Sequence, residues 1–156
     1  MTNITELKDS VNIKTTNFVL LSLATLGIYN VLWLWRQSPK IASITKGNIF
    51  DDTFCIWIAV CFGWSAAASG AGDTSLDMIS IILTIAESVL YIVWAFKAKA
   101  ALESYALNEH QINLRLNAFY TFLFNVYYIN YCINDLPEEK AKQDILAGRQ
   151  PASSES

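Results

Sequence analysis

Glu87 is the side chain in this sequence best placed to do chemistry, because it is the only charge inside a long apolar run. Nine uncharged residues stand on each side of it, from Met78 to Phe96. On insertion scales a carboxylate at such a depth costs about 2.5–3.5 kcal/mol. It must therefore be protonated, paired or wetted. Ser80, Thr84, Glu87, Ser88 and Tyr91 recur at helical spacing and form one polar stripe. A carboxylate in such a stripe suits proton-coupled transport or cation binding. It equally suits a hydrogen bond across a helix bundle, with Asn125 or Asn30 as the partner.

The second polar set lies between Asn117 and Asn134. Asn125, Tyr128 and Cys132 fall near one helix face, and Asn130 and Asn134 fall on another. Asparagines hydrogen-bond between membrane helices at about 1 kcal/mol each, so they serve either packing or a substrate lining. A third set is Ser65-Ala-Ala-Ala-Ser-Gly-Ala-Gly72, whose four-residue spacing lets helix backbones approach closely. It suits packing within the chain or self-association. Cys55, Cys61 and Cys132 sit in apolar stretches without CxxC spacing, and His110 is the single histidine. They read as packing residues, with no metal or cofactor expected. There is no P-loop, dinucleotide fingerprint, GxSxG elbow or HExxH. No catalytic constellation supports an enzyme.

The elements that position these groups follow from the charge distribution. The chain has 156 residues, 53% of them apolar and 16% charged. Residues 15–35, 53–72, 78–96 and 116–134 together carry one charge, Glu87. That excludes disorder and disfavours a soluble globule, whose helices keep a wet face. Crossing the roughly 30 Å hydrocarbon core takes about 20 apolar residues as helix, and none of the four segments alternates as a barrel strand does. The expectation is an all-α integral membrane protein with four membrane-embedded helical segments, at about 17–36, 53–71, 78–97 and 117–134. They form a single membrane domain over 1–136, followed by a polar tail, 137–156. A polar loop is expected over Gln37–Asp52, a tight turn over Gly72–Asp77, a helical extension over Lys97–Leu116 and a short charged helix over Glu138–Leu146. The polar N-terminus is not a signal peptide.

Basic residues near membrane ends prefer the cytoplasm. Arg36, Lys40 and Lys46 follow the first segment, and Lys97, Lys99 and Arg115 follow the third; the turn between the second and third carries only Asp73 and Asp77. Loops 37–52 and 97–116 are therefore expected to be cytoplasmic and the acidic turn external. Trp33, Trp35, Trp57, Trp94, Phe96, Phe119 and Tyr120 read as an interfacial belt. Four full crossings would put both termini outside, against the preference of Lys8, Lys14, Lys140, Lys142 and Arg149. The alternative is two full spans plus two re-entrant or interfacial segments. Gly27 and Asn30 near the middle of the first segment, and the asparagines of the fourth, make those two the candidates for partial insertion. The net charge of −3 and pI near 5.0 exclude a basic nucleic-acid surface.

The run Thr25-Leu-Gly-Ile-Tyr-Asn-Val-Leu-Trp33, with Arg36 after it, carries a T-x-G-I-Y-x-x-x-W pattern. It resembles a family of small, mostly bacterial integral membrane proteins of unknown function. The run Leu116–Asn134 is similar to that family's closing segment. The resemblance covers about the two ends of the chain and marks Thr25, Gly27, Tyr29 and Trp33 as signature residues. It implies a helical inner-membrane protein and supplies no reaction. The expected function is that of a non-enzymatic scaffold or accessory subunit, acting through helix packing with itself or a membrane partner. Alternatives are a small transporter or channel using Glu87, and a membrane immunity protein. The lipid bilayer is the expected surrounding in every case.

Overall fold

The computed structural model describes residues 4–47, 49, 52–69 and 72–148. These are helical, with no strand among them. In chain order the helices are α1 (Glu6–Val11), α2 (Thr15–Ala24), α3 (Ile28–Thr45), α4 (Asp52–Ala68), α5 (Thr74–His110) and α6 (Ala118–Leu146).

At 37 residues and 1.5 Å per residue, α5 is about 55 Å long, and it organises the rest. Asp73 starts it by accepting the Ser75 N–H at 2.8 Å, satisfying one of the open donors of the first turn. Gln111 ends it in the left-handed region, with Ile112 donating back to Ala106. The two halves of α5 have opposite surroundings. Trp94, Ala95, Ala98, Ala101, Leu102, Tyr105 and Ala106 are buried among α3 and the later part of α6. Between Leu76 and Val93 only Ser80 is buried, and Ile79, Ile81, Ile82, Ile85 and Val89 are open. The more apolar half is thus the exposed half, the reverse of a water-soluble helix. α5 is the one helix among the described residues long and apolar enough to cross a membrane; α4 is apolar but shorter.

α4 runs antiparallel to α5, with the Ser80 hydroxyl donating to the Ser65 carbonyl at 2.9 Å. Ser65 and Ala68 are buried on this seam, so part of the small-residue run packs within the chain. Gly70 and Ala71 lie outside the described residues. At the other end of α5, α3 runs alongside. Trp94 Nε1 donates to Ser38 Oγ at 2.6 Å, and a Cβ added at Gly47 would stand 2.5 Å from that of Ala101.

The first and fourth apolar segments are not single helices. Leu26 (φ 51°) and Gly27 (φ 92°) separate α2 from α3, and Asn125 (φ 42°, ψ −118°) interrupts α6. Four continuous spans are therefore not what the chain forms. The loop expected over Gln37–Asp52 is, as far as Thr45, the last part of α3, with Pro39 inside it. Burial of Gln37, Ser38, Ile41 and Thr45 outweighs the helix cost of proline, about 3 kcal/mol. The helix expected from Lys97 ends at His110, and 111–117 is neither helix nor strand. α6 runs through Pro137 to Leu146, so the expected tail begins as helix; its end, 149–156, lies outside the described residues. α1 was not foreseen. Its Leu7 and Val11 are buried, and Gln37 and Lys40 of α3 donate to the Val11 and Ser10 carbonyls.

Candidate functional site

Thr25, Gly27, Tyr29 and Trp33 build a helical hairpin. The Thr25 hydroxyl donates to the Leu21 carbonyl at 2.8 Å and accepts the Tyr29 N–H at 3.0 Å. One side chain therefore satisfies an acceptor at the end of α2 and a donor at the start of α3. Gly27 takes the positive φ that reverses the chain, a conformation costly for a residue with a Cβ. Below the reversal, Phe18 of α2 stacks on Trp33 (centroids 4.8 Å) and meets the edge of Tyr29 (5.7 Å). Fully buried Phe18 locks the two limbs together.

A second hairpin closes the chain. Asn117 caps the first limb of α6 by accepting the Phe119 N–H at 2.8 Å. Its own N–H donates to the Tyr128 hydroxyl at 3.0 Å, and the Tyr120 and Tyr128 rings lie 5.8 Å apart. Asn117 and Tyr128 would stand about 16 Å apart along a straight helix. Reversal at Asn125 is what brings them together.

The two tips meet. Asn30 Nδ2 donates to the Tyr127 hydroxyl at 2.9 Å, and Asn30 Oδ1 lies 2.6 Å from Ser22 Oγ. Ser22 Oγ is also 2.8 Å from the Phe18 carbonyl, so its single proton is shared between two acceptors. The chain Ser22–Asn30–Tyr127 thus joins α2, α3 and α6 at one level. Asn125 Oδ1 is buried there without a hydrogen-bond partner. Further from the tips, Asn130 donates to the Ile13 carbonyl and Thr15 hydroxyl, and Asn134 to the Ile13 carbonyl. These two asparagines hold the link between α1 and α2.

The Glu87 stripe is separate from this junction. Thr84 and Ser88 donate to carbonyls one turn earlier, at Ser80 and Thr84. Ser80 bridges to α4. Tyr91 is half-buried against the core, and its hydroxyl has no hydrogen-bond partner. Glu87 is half-buried. Among the described residues neither Asn30 nor Asn125 pairs with it, because Asn30 is engaged by Ser22 and Tyr127. The expected cross-bundle bond is therefore not formed.

Sequence reasoning missed Ser22, Ser38, Gln37 and Tyr127. It also put Trp33 and Trp94 in an interfacial belt, whereas both are buried and meet edge to face at 5.9 Å. Trp35 and Trp57 are exposed as a belt requires. Near the polar end His110 is buried against Tyr105 (centroids 4.8 Å). Burial, and next the Lys140 charge, hold its pKa below the usual histidine value, with Glu109 opposing. The chain matches no protein-family model, no curated protein and no solved structure.

Proposed function

We propose that this chain is a multi-pass protein of a bacterial cytoplasmic membrane, a non-enzymatic scaffold or accessory subunit that works by helix packing with itself or a membrane partner. The observation that carries the proposal is the inversion of α5, whose apolar half is open except along the side that α4 covers. In this reading α4 and α5 cross the bilayer as a hairpin. α2–α3 and the first limb of α6 with its return enter from the basic side and turn back. Distances along the chain support it. The first charges flanking the tips, Lys14 and Arg36 around Gly27, and Arg115 and Asp135 around Asn125, lie nine to thirteen residues away. As helix, ten residues rise about 15 Å, half of a roughly 30 Å hydrocarbon core. This arrangement puts every described Lys and Arg on one side and Asp73 and Asp77 on the other, and removes the conflict at the termini.

The stripe on α5 supports packing over transport, since Ser80, Thr84 and Ser88 spend their protons on backbone carbonyls. Glu87 keeps an unpartnered carboxylate on a helix face that a second chain would cover. Two experiments test the reading. Single cysteines at Asp9, Asp73 and Lys142, in a chain cleared of Cys55, Cys61 and Cys132, are labelled from each side of the membrane. Asp9→Cys and Lys142→Cys react from the cytoplasm, and Asp73→Cys from outside; labelling of Lys142→Cys from outside overturns the topology. Purification in mild detergent then yields an assembly larger than one chain, weakened by Glu87→Lys. A lone monomer whose proton or cation flux in vesicles disappears with Glu87→Gln would establish transport instead.

A further inference from the structure

The two half-depth hairpins sit on the same side, and their tips lie at one level. Asn30, three residues past Gly27, bonds Tyr127, two residues past Asn125. A second contact gives the depth of that level. A Cβ on Gly27 would stand 3.4 Å from the Phe62 ring of α4. Phe62 is ten residues from Asp52 at the basic end of α4 and six from Ala68 near the acidic turn. The tips therefore reach about 15 Å along α4, and among the described residues only α4 and α5 continue beyond them. The exposed residues around the tips are apolar: Leu23, Leu26, Ile28, Phe122, Leu123 and Phe124.

We infer that the chain is a membrane wedge, which favours or produces bilayers bent so that the basic face is convex. The inference rests on the topology proposed above. The basic-side leaflet holds six helical limbs: α2, α3, α4, α5 and the two limbs of α6. The opposite leaflet holds only α4 and α5. A helix is about 10–12 Å across, or roughly 90 Å² in section. The basic-side leaflet is thus displaced by roughly 350 Å² more than its partner for each copy. Leaflets of equal lipid number relieve that mismatch by bending toward the emptier side. The ligand is the lipid surface itself, selected by shape, as for interfacial helices that respond to curvature. Two limb pairs in one leaflet make the wedge part of the folded core, because Phe18 stacks on Trp33 and packs tilted against Tyr127 (4.9 Å), joining the two hairpins.

The test reconstitutes the full chain into vesicles of one lipid composition and graded diameter. Copies with the basic face outward are identified by labelling of Lys142→Cys. The expected result is a density per lipid area that rises as diameter falls for outward-facing copies and falls for inward-facing ones. The double variant Leu26→Lys/Phe124→Lys alters two exposed tip residues and draws both hairpins toward the interface, so the preference shrinks while α4 and α5 still cross. A chain carrying Leu26→Trp, with the native tryptophans as background, is quenched by lipids brominated near the bilayer centre. Quenching at the centre with no dependence on diameter overturns the wedge and leaves the topology standing. Quenching of Leu26→Trp by an aqueous agent overturns both.

Discussion

Replacing Gly27 with alanine distinguishes a hairpin from a continuous span by the sign of its effect. At φ 92° an L-residue pays about 1–2 kcal/mol for the left-handed conformation. Alanine recovers about 0.4–1 kcal/mol by restricting the unfolded chain. The added Cβ meets the Phe62 ring at an ordinary contact distance, 3.4 Å, and contributes little either way. The net expectation is a loss of about 1 kcal/mol, roughly a fivefold shift in the folded-to-unfolded ratio. Were residues 17–35 one straight helix, the same change would stabilise it by about 0.8–1 kcal/mol. The two architectures thus differ by about 2 kcal/mol and in direction. Asn125→Gly is the companion. At φ 42° and ψ −118° it relieves strain of about 1–3 kcal/mol and removes a buried acceptor without a partner. It should stabilise, whereas in a straight helix glycine would not. Unfolding in mixed micelles by titration with a denaturing detergent, followed by tryptophan emission, measures both. A Gly27→Ala protein more stable than the parent refutes the hairpin.

Other perturbations probe the contacts that hold the hairpins to α5. Trp94→Phe deletes the donor to Ser38 Oγ at 2.6 Å and leaves a buried hydroxyl, costing about 1–3 kcal/mol by the same titration. Gly47→Ala drives a Cβ to 2.5 Å from that of Ala101 and must push α3 from α5, costing about 1–3 kcal/mol; Gly63→Ala, with open space around it, is the neutral comparison. His110 has a folded-state pKa below its unfolded value, through burial and Lys140. Protons therefore bind the unfolded chain more tightly, and stability falls as pH drops below about 6.5 toward the folded pKa. His110→Gln flattens that part of the profile; an unchanged slope would assign it to other groups.

The parts of this architecture that depend on hydropathy were legible in the residues, and the parts that depend on chain direction were not. The charge-free segments, the acidic turn at Asp73 and the long helix continuing past Lys97 follow from length and charge. A reversal inside an apolar run leaves hydropathy unchanged, because Thr25 and Asn125 are too few to alter a window average. The signal that was present is local: a threonine two residues before a glycine, with aromatics at four and eight residues from Thr25. The conflict of basic termini with four crossings pointed the same way. Pro39 misled in the opposite sense, suggesting a loop where tertiary burial sustains a helix. Leu7 and Val11, four residues apart, carried the only hint of α1. Glu87 stood out as the lone charge of its run, but of its two expected partners Asn30 is engaged by Ser22 and Tyr127 and Asn125 does not bond it, which only the tertiary arrangement decides.

One consequence of the unbroken α5 is mechanical. It joins the acidic turn on one side to the buried cap around Tyr105 and His110 on the other, with no proline and no positive φ between Thr74 and His110. The rod projects about 20 Å past Lys97. Membrane helices accommodate a thinner or thicker bilayer by tilting, by about 20° on average. A tilt of that size would carry the His110 end sideways by roughly 7 Å, computed from the helical rise. The Trp94–Ser38 bond clamps this rod to α3 and α6 packs alongside it, so the cap swings with it. With α5 as the proposed span, bilayer thickness would be converted into the position of the polar cap, through a lever pivoting where the hairpin limbs end.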